Sequence, residues 1–283
     1  MRDEDRPAVK IVYQTRFSYF GQSGWQSRAS ADPALLFDAD RLGFRMQLYE
    51  DVTLASLAAQ TDRDFHVAVL SSSLMPEVWR KRLTALVGDV LGDRGTVLFK
   101  PPGRAANMMR RHVRRSFAAA PHVAQVVLDD DDALCVDFTA ICRHEATHAV
   151  DCPYEPASVC FLSFPRGLTL GYADGRPAWL APRMQPFTNL GLTLVAPPAH
   201  RRTVLGVAHR KVGQRYAARA IHTRRPMYLR GVHGLNDSKA LHTDTRLTAD
   251  QIATVMPLFP WLARWFVGEC ATPESAGPQS AKG

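Results

Sequence analysis

The sequence predicts an α/β fold, with a mostly parallel central sheet flanked by helices and a mixed C-terminal half. In the first half of the chain, short apolar strand patterns alternate with amphipathic helix patterns, and the connections between them are short. This order is typical of βαβ units with right-handed crossovers. In addition, four consecutive aspartates, 129–132, directly follow one of the strand patterns. Since open α/β sheets bind ligands at the carboxyl ends of their strands, these aspartates mark a candidate site.

The first half contains four strand patterns joined by three helix patterns. β-Branched and apolar residues dominate the strands, which we place at residues 9–13, 65–70, 96–99 and 123–128. The helices are expected at residues 44–59, 76–87 and 105–119. In the first helix Phe44, Leu48 and Val52 recur at helical spacing, and the second has Pro76 in its first turn.

The second half is less regular. A helix is expected at 136–150, strands at 158–164 and 191–196, and turns at Asp174-Gly175 and Ala181-Pro182. A last helix should span 248–266, where Thr248 and Gln251 fit a capping box, and residues 271–283 should form a disordered tail. We therefore expect one domain over residues 1–270.

Composition and charge narrow the class of protein. The chain has 283 residues, 46% of them hydrophobic, and lacks an apolar run long enough to cross a membrane. The N-terminus has no signal-peptide pattern and the five cysteines form no CxxC pair, so a cytoplasmic protein is expected. The net charge of +8 indicates an anionic partner. A diphosphate ligand or peripheral contact with an anionic inner-membrane surface fits this charge, whereas no nucleic-acid-binding motif is present and no nucleic acid is expected.

The aspartate run is costly for folding unless something compensates its charge. Two carboxylates about 5 Å apart repel each other by roughly 3 kcal/mol at an effective dielectric constant near 20. Such groups are either solvated or bound to a hard cation such as Mg²⁺ or Mn²⁺. An acidic turn that only ends a strand and caps the next helix is the alternative at this point.

Several segments together resemble glycosyltransferases of the GT-A type, and most closely a bacterial family labelled "putative rhamnosyltransferase". The segments are TRF after the first strand, SLAAQTDRDFHVAVL, VVLDDDDALCVDF and MYLRGVHGLNDS. The resemblance extends in order over roughly residues 9–270, and the aspartate segment is its sharpest motif. It implies a GT-A-like, Rossmann-like fold that transfers a sugar, in this family rhamnose, from a nucleotide-diphosphate sugar. It also implies a nucleotide-binding half at about residues 9–132 and an acceptor-binding half at residues 133–270. The implied acceptor is a glycan or a lipid-linked saccharide, as in polysaccharide biosynthesis.

The resemblance also implies a divalent-metal cofactor, Mn²⁺ or Mg²⁺, and a set of site residues. Its Asp-x-Asp element corresponds to Asp129 and Asp131, and a histidine near the end of the domain corresponds to His233. The implied metal ligands are thus Asp129, Asp131 and His233. Candidate contacts to the donor are Thr15, Arg16, Arg104, Asp129, Asp130, Arg230 and Lys239.

One position departs from the wider fold class. Many relatives have an acidic residue after the second strand to hold the nucleotide base, but here residues 71–73 are all serine. Asp62 or Asp64 is a substitute, although turn aspartates are usually structural.

The catalytic base does not lie in a diagnostic motif. A base needs a carboxylate or an imidazole within hydrogen-bond reach of the acceptor hydroxyl. The candidates for catalytic roles are Asp131 and Asp132 in the aspartate run, and Asp174 and His209 in the acceptor half; Glu155 is a further option.

A second motif indicates a different function. Residues His144 to His148 match H-E-x-x-H, the zinc metalloprotease signature, on a predicted helix. The extended form of the motif fails, because Asp151 replaces its glycine and Tyr154 its third histidine. Two alternatives to a transferase therefore remain: a zinc protease and a non-catalytic module that binds an anionic glycan through its basic face.

Overall fold

The computed structural model describes residues 9–24, 28–151, 159–234 and 245–266. The strands are β1 (Val9–Arg16), β2 (Phe65–Ser72), β3 (Gly95–Lys100), β4 (His122–Val127), β5 (Ala133–Leu134), β6 (Cys160–Ser163), β7 (Arg166–Ala173), β8 (Arg176–Met184), β9 (Thr193–Ala196), β10 (Ala218–Ala220) and β11 (Tyr228–Val232). The α-helices are α1 (Arg28–Ala31), α2 (Pro33–Leu36), α3 (Ala39–Leu48), α4 (Ala55–Ala58), α5 (Glu77–Leu91), α6 (Ala105–Ser116), α7 (Phe138–Asp151), α8 (Val212–Arg215), α9 (Ala249–Val255) and α10 (Ala263–Phe266).

A seven-stranded sheet with the order β10-β6-β9-β4-β1-β2-β3 forms the centre of the described structure. All neighbouring pairs are parallel except those of β9, which is antiparallel to both β4 and β6. Alternate residues of β1 enter different cores: Ile11 and Tyr13 pack with α5 and α7 on one face, and Val12 packs with α6 on the other. Helices thus cover both faces, as parallel sheets require. The predicted α/β class with a mostly parallel central sheet is confirmed.

A second sheet of four strands, with the order β5-β11-β7-β8, was not expected from the sequence. The predicted turn at Asp174-Gly175 is confirmed, since both residues have positive φ between β7 and β8. The predicted turn at Ala181-Pro182 is wrong, because both residues lie within β8. Proline is tolerated there because β8 is an edge strand.

Two predicted helices differ from the structure. The helix expected at 44–59 begins earlier, at Ala39, where Asp38 caps it, and is interrupted by a π-helical segment, Tyr49–Leu54. The helix expected at 248–266 is wrong as one element: α9 ends at Val255, and 3-10 turns containing Pro257 and Pro260 separate it from α10. The predicted capping box of Thr248 and Gln251 is confirmed.

Several predictions fall outside the described residues, namely the tail at 271–283, Glu155 and Lys239. Among the residues that are described, no helix is both long and apolar enough to span a membrane.

Candidate functional site

The candidate site lies where the strand order of the central sheet changes direction. From β1 the chain moves to β2 and β3 on one side, and it returns as β4 on the other side. The carboxyl ends of β1 and β4 therefore emerge together, at the kind of position where open α/β sheets bind ligands. Arg16 is the last residue of β1, and its guanidinium donates to Asp129, just beyond β4, with a shortest distance of 2.6 Å.

The aspartates form a tight turn, the aspartate turn (residues 129–132), rather than continuing the strand. The amide of Asp132 donates to the carbonyl of Asp129 at 3.3 Å, and β5 begins at the next residue. The hydroxyl of Thr53, in the π-helical segment, donates to the carbonyl of Asp132 at 2.8 Å. A π-helical segment is rare and frequently accompanies a functional site. Here the π-helical segment supplies Thr53, whose hydrogen bond holds the backbone of the aspartate turn.

Arg45 of α3 is buried beneath the aspartate turn and binds two of its carboxylates. Its guanidinium forms an ion pair with Asp130 and donates from Nη1 to Oδ2 of Asp131 at 3.0 Å. The side chains of Arg45 and Asp130 are 3% and 0% exposed, so neither charge is solvated. Arg45 and Arg16 thus offset much of the carboxylate repulsion that the sequence alone implied.

β11 brings its glycine and a histidine to the other side of the aspartate turn. The amide of Gly231 donates to Oδ1 of Asp132 at 3.0 Å. A Cβ on Gly231 would lie 2.2 Å from the carbonyl oxygen of Asp131, so only glycine allows this approach. His233 Nε2 lies 3.0 Å from Asp131 Oδ2, and the rings of Phe44 and Tyr172 pack against its imidazole edge to face.

The carboxylates of Asp130, Asp131 and Asp132 have different pKa values because their surroundings differ. Burial and the neighbouring charges on Asp131 and Asp129 raise the pKa of Asp130 to about 7, although Arg45 opposes this shift. Burial and the same kind of repulsion raise the pKa of Asp132 well above its ordinary value. Burial would also raise the pKa of Asp131, but Arg45 and His233 outweigh it and lower that pKa below its usual range. Asp131 therefore stays ionised inside the site.

His209, from a segment far along the chain, lies within electrostatic range of the same group. Burial and the charges of Arg210, Arg16 and Arg230 lower the pKa of His209, while Asp129 opposes them. Its imidazole is half-buried and is neutral at pH 7. The charges of Asp129 and Arg16 thus act on His209, and its catalytic role stays a prediction.

The other predicted residues have different locations. Thr15 is completely buried in β1, and Arg230 is half-buried in β11 with a charge that acts on Asp132. Arg104 is exposed before α6 and donates to Gln22 at 3.0 Å. Asp174 is exposed at the tip of the β7–β8 turn, and among the described residues no hydrogen bond or ion pair joins it to the aspartate turn. Asp62 pairs with Arg143 at 2.7 Å, which is a structural role.

A cavity of about 360 Å³ is lined in part by the loop that follows β1. Arg16 donates to the carbonyl of Ser23, in the loop that forms one wall of the cavity. The lining residues come from this loop, from α1 and from the loop after β3: Phe20, Gly21, Gln22, Ser30, Ala31, Pro102 and Gly103.

Only two of the three candidate metal ligands lie in contact with each other. Asp131 and His233 are in contact, whereas Asp129 faces Arg16. Over residues 9–24, 28–151, 159–234 and 245–266, no group of three or more His, Cys, Asp or Glu side chains is arranged to hold a metal ion. His144 and His148 of α7 are therefore not part of such a group either. Both side chains are exposed, and Nδ1 of His148 lies 3.0 Å from Arg219. The zinc protease alternative is therefore not favoured.

Sequence reasoning missed Arg45 and Gly231, which hold the aspartate turn from opposite sides. The only signal for Arg45 was its place among Leu42, Met46 and Tyr49 on the apolar face of a helix, where a charge needs a buried partner. Gly231 had no local signal, because its close contact is with a residue about a hundred positions earlier in the sequence.

The sequence model of the family described as "Putative rhamnosyl transferase" matches residues 10–245. Among solved structures, S. aureus TarS 1–349 in complex with UDP is 12% identical, with a TM-score of 0.39, over 79% of this chain and 61% of that chain. The complex of TarS 1–349 with UDP-GlcNAc is also 12% identical, with a TM-score of 0.41, over 90% and 67%. The galactosyltransferase LgtC with donor and acceptor sugar analogs is 13% identical, with a TM-score of 0.31, over 70% and 61%. The chain thus spans about three fifths of the first of these structures, and no curated protein matches its sequence.

Proposed function

The chain belongs to the family described as "Putative rhamnosyl transferase", and we propose that it transfers a sugar, in this family rhamnose, from a nucleotide-diphosphate donor to a hydroxyl acceptor with the help of a divalent ion. The observation that carries this proposal is the convergence of Arg16, Asp131 and His233 at the switch point of the sheet. Cationic and ion-binding groups meet there, as a diphosphate and its ion require.

Asp131 and His233 fit an ion of the Mn²⁺ or Mg²⁺ type. Oδ2 of Asp131 and Nε2 of His233 are 3.0 Å apart. Two neighbouring ligands of an octahedral ion with bonds of about 2.1 Å are also separated by about 3 Å. Asp131 and His233 would hold such an ion, and the ion would neutralise the charge that develops on the departing diphosphate. Donor oxygens and water would supply its remaining ligands.

Arg16 and the cavity lined by the loop after β1 fit the rest of the donor. The cavity of about 360 Å³ is within the range of small-molecule sites and is bounded partly by backbone and small side chains. We place the nucleoside there, with Arg16 and Arg230 near the phosphates as cations. Asp129 holds Arg16 in position, so its role in this proposal is to orient the arginine.

His209 is the group best suited to take the proton of the acceptor. Its lowered pKa leaves the imidazole neutral, with a nitrogen that can accept a proton at physiological pH. In the proposed step, the acceptor oxygen forms a bond to the anomeric carbon while the bond from that carbon to the diphosphate breaks. The proton of the acceptor hydroxyl moves to His209, and the electron pair of the broken bond leaves with the diphosphate.

The test is a donor-hydrolysis assay, in which water replaces the acceptor. It measures the release of nucleotide diphosphate from a panel of nucleotide sugars that includes dTDP-rhamnose, in the presence of Mn²⁺ or Mg²⁺. At least one donor should be consumed by the wild type and not by Asp131→Asn. Asp62→Asn is the matched control, since Asp62 also forms an ion pair but lies away from the aspartate turn. Failure of the wild type to consume any donor with either ion would refute the proposal.

A further inference from the structure

The positive charge of this protein is concentrated in two segments of the chain. Residues 94–128 and 175–236 contain no Asp or Glu, but they hold 18 of the 35 Lys and Arg residues. The remaining Lys and Arg residues share their segments with all 27 acidic residues. Such a separation creates a local field that a mixed surface would cancel.

The fold places parts of these two segments side by side. Leu205 packs against the buried face of α6, formed by Ala105, Met109 and Val113. Arg110 of α6 donates to the carbonyl of Arg201 at 3.2 Å. The guanidinium of Arg202 lies 4.5 Å from the ring centre of Tyr216, at the end of the short helix that follows Arg210 and Lys211. The cations of these neighbouring segments are here called the basic surface: Arg110, Arg114, Arg201, Arg202, Arg210 and Lys211.

The basic surface is anchored to the sheet and continues to the candidate site. The hydroxyl of Thr203 donates to Gln125 of β4 at 2.9 Å, which fixes the segment after Arg201 and Arg202. Six residues later His209 lies within the field of Asp129 and Arg16, and Arg210 and Lys211 follow directly. An extended ligand on the basic surface would therefore lead to the proposed proton acceptor.

The character of the surface favours a polymer over a membrane. Arg114, Arg201, Arg210 and Lys211 are exposed. Among the residues that the structure describes, the exposed large apolar side chains are Leu35, Leu74, Val78 and Met184, and none of them belongs to the basic surface. A membrane-binding face usually adds exposed apolar side chains to its cations.

We propose that the basic surface binds an anionic glycan, a saccharide chain bearing carboxylate or phosphate groups, and presents its end to the site as the acceptor. This inference rests on the proposed transferase function and specifies its acceptor class. The charged groups would pair with the arginines, while the terminal hydroxyl reaches His209.

The probe is an oligogalacturonate of about ten sugars, compared with its fully methyl-esterified form, which keeps the sugars but lacks the charge. Isothermal titration at about 50 mM and about 300 mM salt should show tight binding of the charged form only, weakened at the higher salt. The triple variant Arg114→Gln/Arg201→Gln/Lys211→Gln should lose about tenfold in affinity, since each exposed charge contributes up to a fewfold. The triple variant Arg63→Gln/Lys81→Gln/Arg82→Gln removes the same charge elsewhere and should bind like the wild type.

Equal affinity of the two triple variants, or equal binding of the esterified form, would overturn the proposal. So would stronger, surface-dependent binding of single-stranded DNA or of phosphatidylglycerol vesicles under the same conditions. Titration of UDP and dTDP with Mn²⁺ into all three proteins separates the two proposals. Retained nucleotide binding with no oligogalacturonate preference refutes the acceptor class alone, and absent nucleotide binding in the wild type refutes the transferase function.

Discussion

Asp131 is the residue on which the candidate site depends. It is buried and ionised, with Arg45 on one side and His233 on the other. The sequence suggested repulsion between neighbouring carboxylates, but the lowered pKa of Asp131 means that attraction dominates at this position. The charge of Asp131 therefore stabilises the folded protein at pH values above the pKa that this carboxyl has in the unfolded chain. The contribution is lost as the pH falls toward the lower pKa that it has in the folded protein.

Asp131→Asn should lower both stability and turnover. Neutralising a buried, paired carboxylate should cost about 1–3 kcal/mol at pH 7, since Asn cannot replace the ion pair with Arg45. Loss of the ion-binding group should reduce turnover by about a hundredfold or more. Thermal melting and donor-consumption rates measure the two effects, and a variant with full activity would show that Asp131 does not hold the ion.

His209→Gln should change the pH dependence of the reaction. Because the pKa of His209 is lowered, its imidazole stays neutral down to pH values below the ordinary 6.5. The wild-type kcat/KM should therefore fall only below about pH 6.5, and this acidic limb should disappear, with a large loss of rate, in His209→Gln. The control variant is His66→Gln, because the pKa of His66, at the start of β2, is also lowered. This control should keep the wild-type pH profile, whereas an unchanged profile in His209→Gln would refute the assignment.

At the scale of single residues, the sequence indicated those that lie in recognisable motifs. The aspartate run, Arg16 and His233 were identified because each belongs to a segment with a family resemblance or a strand end. Arg45 was not, because its partner Asp130 is 85 positions away and nothing local connects them. The roles of these residues as metal or donor ligands stay predictions.

At the scale of elements, β11 fixes the position of the aspartate turn. It pairs with β5 on one side and β7 on the other, which places Gly231 against Asp131. Short strands that pair over such distances give no periodic signal, so the second sheet could not be predicted. The βαβ units could be predicted, because alternation and helical spacing are local patterns.

Gly231→Ala should displace the aspartate turn. The added methyl group would lie 2.2 Å from the carbonyl oxygen of Asp131, so the backbone must shift, at a cost of about 1–3 kcal/mol. Affinity for nucleotide diphosphate with Mn²⁺ should fall as well. In Gly88→Ala the methyl group meets nothing within 4 Å on α5, so this control should gain about 0.5–1 kcal/mol. Unchanged stability and affinity in Gly231→Ala would show that the turn does not depend on this contact.

The helix that carries the H-E-x-x-H motif should have no part in metal binding. His148→Ala should leave metal content and nucleotide affinity nearly unchanged, because His148 is exposed and lies beside Arg219. His233→Ala should weaken metal-dependent nucleotide binding, because His233 lies beside Asp131. Elemental analysis and titration of both variants distinguish these results, and stoichiometric zinc that is lost in His148→Ala would restore the protease alternative.

At the scale of the whole molecule, the sheet order brings together groups that are remote in sequence. Three separate parts of the chain supply Arg16, the aspartate turn and Gly231, and these groups meet where the central sheet adjoins its neighbour. The charges of Asp129 and Arg16 also act on His209. Strand order cannot be derived from strand patterns alone, so the sequence predicted the class of the fold but not this convergence. The central claim is that this edge holds a divalent ion and a nucleotide diphosphate together.

A thermal-shift panel of UDP, dTDP and GDP, each with Mn²⁺ and with EDTA, tests that claim most directly. A ligand at about a hundred times its Kd stabilises the folded state by about 2.7 kcal/mol, which is a rise of several degrees in Tm for a protein of this size. The account predicts such a rise for at least one nucleotide with Mn²⁺, a much smaller one in EDTA, and none in Asp131→Asn. No shift with any nucleotide in Mn²⁺, or an equal shift in EDTA, would contradict it.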